Sequence, residues 1–193
     1  SFICNGILFC NLGISCFLST SYSNKPCNND SEVLEKDNNK ITQWVITPDE
    51  LEWLKNIIRN TDERIIFINI HTPILPVPER CKFPGFKDSG TLFNADEVKL
   101  LLNSFVGKHF IVLSGHTHTN YITTFNNITQ IVTSSLCEFP CEYRLIKINQ
   151  HSIEVETCGL SNPEFAKNSL IEGKELTKGR KEDRKLSIPI KNI

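Results

Sequence analysis

The stretch RIIFINIH, residues 64–71, is an apolar, β-branched run that ends in a histidine. It predicts a buried β-strand with His71 at its carboxyl end, because the run is too short for a core helix. The stretch FIVLSGHTH, residues 110–118, repeats this arrangement and places His116 and His118 directly after a strand. Residues two apart in an extended or turning segment point to the same side, so both rings can face one cavity. Because imidazole is a common metal ligand, the pattern predicts a metal site at the strand ends.

A helix is predicted before each of these strands. Thr47-Pro48-Asp49-Glu50 combines a hydroxyl cap, an early proline and a glutamate at the capping-box position, and an apolar stripe comes after it. Asn94-Ala95-Asp96-Glu97 repeats the device, and the second helix is predicted to run past Phe105 until Gly107 ends it. The alternation of helix and strand predicts an α/β fold with ligands at the carboxyl edge of the sheet.

Turn signals and alternation predict the remaining elements. Asn5-Gly6 between two short apolar runs indicates a type I′ hairpin. Residues 19–40 are polar and are predicted to form a loop, and residues 72–93, with four prolines, are predicted to form an irregular wall of the pocket. Short strands of a meander are predicted at Tyr121–Phe125, Ile128–Thr133, Tyr143–Ile148 and Ile153–Thr157.

We expect one domain over residues 1–160 and a polar tail over residues 161–193. Residues 172–185 mix charges of both signs with few apolar side chains, which predicts a solvated segment. The short apolar patch at residues 186–190 either packs back on the domain or docks elsewhere.

The histidine blocks resemble the last two signature blocks of the calcineurin-like metallophosphoesterase superfamily. In that family a strand ends in a lone histidine, often followed by proline, and a Gly-His-x-His block comes later; here these are His71 with Pro73, and Gly115-His116-Thr117-His118. The resemblance implies that His71 and His116 share one divalent ion and that His118 binds a second. It also implies that the chain forms half of a layered αββα sandwich, in which mixed sheets are flanked by helices.

The earlier blocks of the family, Asp-x-His, Gly-Asp-x-x-Asp and Gly-Asn-His-Asp or Glu, do not occur in these 193 residues. The bridging aspartate, the asparagine ligand and the histidine that protonates the leaving group would therefore lie outside this chain. We expect the chain to be the C-terminal part of a longer protein, with the missing half of the domain upstream as its partner. The 193 residues alone are expected to be nearly inactive.

The function implied by the resemblance is hydrolysis of a phosphate ester by two divalent ions, manganese, iron or zinc. Monoesters, diesters and cyclic nucleotides all remain open as substrates. Two alternatives stay open as well. In the first, the chain is a non-catalytic binding module that has kept the fold. In the second, it is a mononuclear zinc hydrolase with an open coordination position.

Other polar residues are weaker candidates. Three cations of the proline-rich loop could meet a phosphate, although solvent exposure is the default; they are Arg80, Lys82 and Lys87. Two carboxylates, Glu138 and Glu142, could orient a metal-binding ring. His109 and His151 are interpreted as structural or exposed.

The composition and the spacing of residue types argue against several classes of protein. The net charge of −1 and the pI near 6.5 provide no basic surface that would attract nucleic acid or an anionic membrane. Residues 3–18 are too often interrupted by polar residues for a membrane span, which needs about 20 predominantly apolar residues. The eight cysteines contain no Cys-x-x-Cys pair, so buried thiols are favoured, with disulfides as the alternative.

Overall fold

A six-stranded mixed sheet lies at the centre of the computed structural model, which describes residues 1–19, 41–83, 86, 90–171 and 174–190. The strands are β1 (Phe2–Cys4), β2 (Ile7–Asn11), β3 (Ser15–Ser19), β4 (Ile41–Val45), β5 (Ile65–Asn69), β6 (His109–Ser114), β7 (Tyr121–Phe125), β8 (Ile128–Val132), β9 (Glu142–Ile148), β10 (Ser152–Gly159) and β11 (Lys185–Pro189). The helices are α1 (Pro48–Arg59), α2 (Ala95–Asn103) and α3 (Pro163–Asn168). The predicted α/β class is confirmed. No helix within the described residues has the length and apolarity to cross a membrane.

The central sheet has the order β1-β2-β5-β6-β8-β7. Its four inner strands are parallel, and the edge strands β1 and β7 are antiparallel to their neighbours. The parallel strands are buried on both faces, which explains why β5 and β6 read as continuous apolar runs. The carboxyl ends of β2, β5 and β6 therefore lie side by side at one edge of the sheet.

Two layers cover this sheet. Helices α1 and α2 pack on one face, where Leu54, Ile58 and Leu102 are fully buried against strand residues. The other face packs against a second, antiparallel sheet of order β11-β10-β9, through Ile153 and Val155. The described residues thus form a helix layer, a large sheet and a small sheet.

The first hairpin and the first helix form as the sequence predicts. β1 and β2 pair across Asn5 and Gly6, whose φ angles of 49° and 74° are those of the predicted turn. Thr47 caps α1, and its side chain accepts a hydrogen bond from the backbone N–H of Glu50 at 3.3 Å. The Glu50 carboxylate reaches back to the backbone N–H of Thr47 and also accepts from the N–H of Gly13 at 2.9 Å.

The second helix differs from its prediction at both ends. The side chain of Asn94 does not cap α2; instead it accepts from the backbone N–H of Ile46 at 3.2 Å and donates to the carbonyl of Ile46 at 2.9 Å. The helix ends at Asn103, before Phe105 and Gly107. The carboxamide therefore ties the end of β4 to the start of α2, a role that a local capping pattern does not reveal.

The C-terminal strap, residues 174–184, corrects the prediction of a solvated tail. It contains two 3-10 turns, Glu175–Lys178 and Lys181–Asp183, and leads into β11, which pairs with β10. The apolar patch at residues 186–190 thus packs back on the domain through Leu186 and Ile188. Hydrogen bonds and ion pairs of polar side chains hold the strap on the domain. Its low content of apolar residues therefore does not predict disorder.

The four strands predicted after the histidine pair are confirmed within two residues at each end. They do not form one meander, because β7 and β8 pair in the central sheet whereas β9 and β10 pair in the small sheet. The described part of the proline-rich loop contains a short 3-10 turn, Glu79–Cys81. Gln130 holds the start of the loop, because its side-chain oxygen accepts from the N–H groups of Ile74 and Leu75 at 2.8 Å each. The loop predicted at residues 19–40 lies outside the described residues apart from Ser19 in β3.

Candidate metal centre

His71 and His116 meet at the carboxyl edge of the central sheet. Each lies two residues beyond the end of its strand, β5 or β6. The two backbones stay joined beyond the strands, because the N–H of Ile70 donates to the carbonyl of Leu113 and the N–H of Gly115 donates to the carbonyl of His71, both at 3.0 Å. As a result Nε2 of His71 lies 3.3 Å from Nδ1 of His116.

The loop after β6 is a tight turn rather than an extended segment. His116 and His118 have φ angles of 63° and 52°, and the N–H of Thr117 donates to the carbonyl of Gly115 at 2.6 Å. Left-handed backbone costs an L residue about 1–2 kcal/mol, and such strain clusters at functional sites. Two strained histidines in three residues therefore single out this turn.

His118 points to a different partner from the other two rings. Its Nδ1 lies 2.6 Å from the carboxylate of Glu138, whose other oxygen accepts from Lys174 of the C-terminal strap at 3.2 Å. Burial would raise the pKa of Glu138, but Lys174 and the nearby His118 outweigh it and lower the pKa. Glu138 is thus an ionised acceptor that fixes the orientation of the His118 ring.

A shallow, open hollow of about 450 Å³ lies beside His71. It is formed by the ends of the three parallel strands, with Asn11 and Asn69 at its rim and His71 and Ser114 next to them. The side-chain amide of Asn69 donates to the carboxamide oxygen of Asn11 at 2.5 Å. The ends of the three strands therefore present amide groups and backbone beside His71.

Trp44 belongs to the site although the sequence analysis did not identify it. It lies in β4, and its indole is edge-on to His116 and His71, with ring centroids 5.7 and 6.4 Å apart. β4 pairs with β3. The two strands are far apart in the sequence, so no local pattern indicates that Trp44 lies near the histidines. The signal in the sequence is weak, because a tryptophan in a short apolar run is usually a core residue.

The histidine pair fits a metal ion on geometric grounds. Two nitrogen ligands about 2.0–2.1 Å from one tetrahedral zinc ion are about 3.3 Å apart, and the observed separation of the ring nitrogens is 3.3 Å. The buried hydroxyl of Ser114 at the same hollow has no hydrogen-bond partner within the described residues. Within the same residues, however, no three His, Cys, Asp or Glu side chains are grouped so that they could hold one ion. The described residues therefore bring two imidazole nitrogens together at a separation that suits either a hydrogen bond between the rings or a shared metal ion.

The chain matches no protein-family model, and no curated protein matches it at a significant level. The interpretation of the pair consequently depends on its geometry and on the residues of the two histidine blocks. The centre with two ions stays a prediction.

The two candidate phosphate-binding cations that the structure describes, Arg80 and Lys82, have other partners. The guanidinium of Arg80 donates to the buried carboxylate of Asp183 at 2.5 Å and to the carbonyl of Ile122. Lys82 forms an ion pair with Glu79 at 2.5 Å. Lys87 lies outside the described residues. Arg80 is thus part of the framework, because moving it to a ligand would leave a buried carboxylate uncompensated.

The other polar candidates also have structural partners. Glu142 accepts from Arg184 at 2.6 Å and from the side-chain amide of Asn120 at 2.8 Å, so it supports the histidine turn from the strap side. His109 contacts the hydroxyl of Thr129 at 3.1 Å, and burial lowers the pKa of His109. His151 is exposed in the turn between β9 and β10.

Six cysteines have described side chains, and all six are free thiols. Cys10, Cys81 and Cys141 are buried, as the interpretation of buried thiols expects, whereas Cys4 and Cys137 are exposed. Burial, followed by the charge of the neighbouring Asp183, raises the pKa of Cys81 to about 12. Such a thiol stays protonated and unreactive at neutral pH.

Proposed function

We propose that the chain belongs to a metal-dependent phosphoesterase and supplies part of its metal centre. His71 and His116 hold one divalent ion, and His118 contributes to a second. The observation that carries the proposal is the 3.3 Å separation of the two ring nitrogens at the carboxyl edge of parallel strands, where α/β proteins generally bind their ligands.

The layers support the same proposal. A helix layer, a six-stranded sheet and a small antiparallel sheet correspond to three of the four layers of the αββα sandwich that the sequence resemblance implies. The outer face of the small sheet is mixed. Lys185 forms an ion pair with Glu156 and Ser187 donates to Glu154, whereas Tyr143 and Leu145 are exposed on the same face.

When bound, paired divalent ions would polarise the phosphoryl oxygens and lower the pKa of a bound water. The residues of this chain would bind the ions and orient the metal-binding rings. His71 and His116 present one nitrogen each, and Glu138 accepts the Nδ1–H of His118, which leaves Nε2 as the ligand atom. The group that protonates the leaving oxygen and the ligand that bridges the ions are proposed to come from sequence upstream.

A mononuclear zinc site is the second candidate. It is favoured by the fact that two rings, rather than three, converge among the described residues. Metal stoichiometry separates the candidates, because a mononuclear centre binds one zinc per chain, whereas two ions are expected when the upstream half is present.

The test is metal binding by single-histidine variants. We expect His71→Ala and His116→Ala to lower the affinity of the chain for zinc by at least about tenfold, because each removes one of two ligands. His151→Ala is the matched control, since this exposed histidine lies in the turn between β9 and β10 and not at the carboxyl ends of β5 and β6. Isothermal titration with zinc, together with elemental analysis, gives affinity and stoichiometry.

Hydrolysis of bis(4-nitrophenyl) phosphate and of 4-nitrophenyl phosphate, with and without chelator, then tests the activity in the protein extended upstream. The proposal is wrong if the strand-end variants bind zinc as tightly as His151→Ala. It is equally wrong if the extended protein hydrolyses neither ester in the presence of metal.

A further inference from the structure

The indole of Trp44 lies beside both rings of the histidine pair. The distance between ring centroids is 5.1 Å for His71 and His116, 5.7 Å for Trp44 and His116, and 6.4 Å for Trp44 and His71. These separations place both imidazoles on the same side of the indole. Both contacts are edge-on, with interplanar angles of 73° and 68°, so neither imidazole stacks on the indole.

The backbone around Trp44 is firmly held. Its carbonyl accepts from the N–H of Phe93 at 2.8 Å, and the side chain of Asn94 bonds to both the N–H and the carbonyl of Ile46. The indole also packs against the core under the helices. An aromatic side chain that is fixed in this way can present a binding surface at little entropic cost, because it is ordered before a ligand arrives.

The remaining surface of the site has a different character. Asn11 and Asn69 supply amides, Leu12 and Ile70 supply aliphatic carbon, and Ser114 supplies a hydroxyl. Trp44, which is half-buried, adds an aromatic side chain in contact with both imidazoles. A phosphate held at the histidine pair would carry its ester groups within reach of this indole.

We propose that Trp44 is a specificity-determining residue that selects phosphoryl ligands carrying a planar aromatic group over those carrying an alkyl group. The inference rests on the proposed function, because it assumes that the phosphoryl group sits at His71 and His116. An aromatic ester group gains stacking or edge contact with the indole, whereas a small alkyl group of the same charge gains little.

The test compares two non-hydrolysable probes, phenylphosphonate and methylphosphonate, on the zinc-loaded chain. Isothermal titration gives the affinity of each probe for the wild type and for Trp44→Phe, Trp44→Leu and Trp53→Leu. Trp53 is the matched control, since it is the second tryptophan of the chain and lies on α1 with 37% of its surface exposed. Thermal unfolding shows whether each variant is folded, and Trp44→Phe keeps an aromatic ring if Trp44→Leu does not fold.

Fluorescence provides a second readout. In a Trp53→Phe protein, Trp44 is the sole indole, so quenching by phenylphosphonate reports contact at this residue. We expect wild type to prefer phenylphosphonate by about tenfold or more. Trp44→Phe should keep most of this preference, Trp44→Leu should lower it to about twofold, and Trp53→Leu should leave it unchanged.

The outcomes separate this inference from the proposed function. Equal affinities for the two probes in the wild type, binding of neither probe, or a preference that survives in Trp44→Leu would overturn the role of Trp44. A phenyl preference that depends on Trp44 but persists after zinc is removed and in His116→Ala would support the aromatic subsite while contradicting the metal centre.

Discussion

Asp183 connects three segments that are far apart in the chain. Its side chain is fully buried and accepts hydrogen bonds from the Arg80 guanidinium and from the backbone N–H groups of Ile122 and Arg180, the last two at 2.9 Å each. Burial would raise the pKa of Asp183, but the bonds from Arg80, Ile122 and Arg180 outweigh it and lower the pKa. One carboxylate thereby fixes the C-terminal strap to the proline-rich loop and to β7.

Removing this charge should destabilise the protein. We expect Asp183→Asn to lower the free energy of unfolding by about 2–3 kcal/mol, because Arg80 loses its buried counter-charge and one of the two acceptor oxygens is replaced by an amide that donates. Glu182→Gln is the control, since Glu182 is 62% exposed and lies 3.6 Å from the same guanidinium. Urea unfolding of both variants at neutral pH gives the comparison.

The same residue gives a pH dependence. Because the pKa of Asp183 is lower in the folded state, its contribution is present above the unfolded pKa of about 3.9 and is lost as pH falls through the folded value. The stability difference between wild type and Asp183→Asn should therefore shrink below about pH 4. A difference that is the same at pH 3 and pH 7, or a larger effect of Glu182→Gln, would contradict this role.

At the scale of single residues, the sequence predicts the features that depend on nearby positions in the chain. Two apolar runs of strand length that each end in histidine place His71 and His116 at one sheet edge, because parallel neighbours end together. The position of Arg80 was misjudged, since its partner Asp183 is 103 residues away and no local pattern links them. Trp44 was missed for a similar reason.

Single elements were predicted best where their signals are local. The Thr47–Glu50 capping box forms as expected because both partners lie within one helical turn. Asn94 has the same type of signal, yet its carboxamide bonds to Ile46 in another element. A capping pattern thus identifies the start of α2 correctly but not the partner of the side chain.

The C-terminal strap depends on one glycine between its two 3-10 turns. Gly179 has φ +77°, and a Cβ there would collide with the backbone carbonyl of Asn120 and lie 2.9 Å from Cβ of Asp183. We expect Gly179→Ala to cost about 3 kcal/mol or more, because strained backbone adds to a steric clash. Gly107→Ala is the control, since Gly107 has φ +84° with open space around it and should cost about 1 kcal/mol.

Thermal unfolding of the two glycine variants measures this difference. Similar melting temperatures for Gly179→Ala and Gly107→Ala would show that the strap can move away from Asn120. In that case the strap would not be a fixed support of the histidine turn.

For the whole molecule, the alternation of helices and strands predicted a sheet covered by helices, whereas the small second sheet was implied only by the family resemblance. The polar composition of the C-terminal region predicted a solvated segment, and the structure has an ordered one. Composition predicts order from apolar burial, but residues 174–184 are held by Lys174, Asp183 and Arg184 through charged partners. Such contacts depend on the finished tertiary structure, so they leave no periodic signal in the sequence.

The edge strand β1 is a site where self-association is expected. All three of its residues are exposed, and among the described strands it pairs with β2 alone. We expect Ile3→Lys to reduce concentration-dependent association, because a charge on an edge strand disfavours pairing with another copy. Light scattering over a concentration series measures this. Val106→Lys is the control, since Val106 is 95% exposed but lies outside any strand, and an equal effect of both variants would refute a role of the edge.

The strap also has a consequence for protein synthesis. A nascent chain translated as far as Ser169 already contains the two strands that carry His71 and His116. It still lacks Lys174 beside Glu138 and Thr177, whose carbonyl accepts from the N–H of Asn120 at 2.7 Å. On the ribosome the histidine pair is therefore synthesised before the residues that support His118, so the His118 side of the candidate centre cannot be complete until the strap has been made.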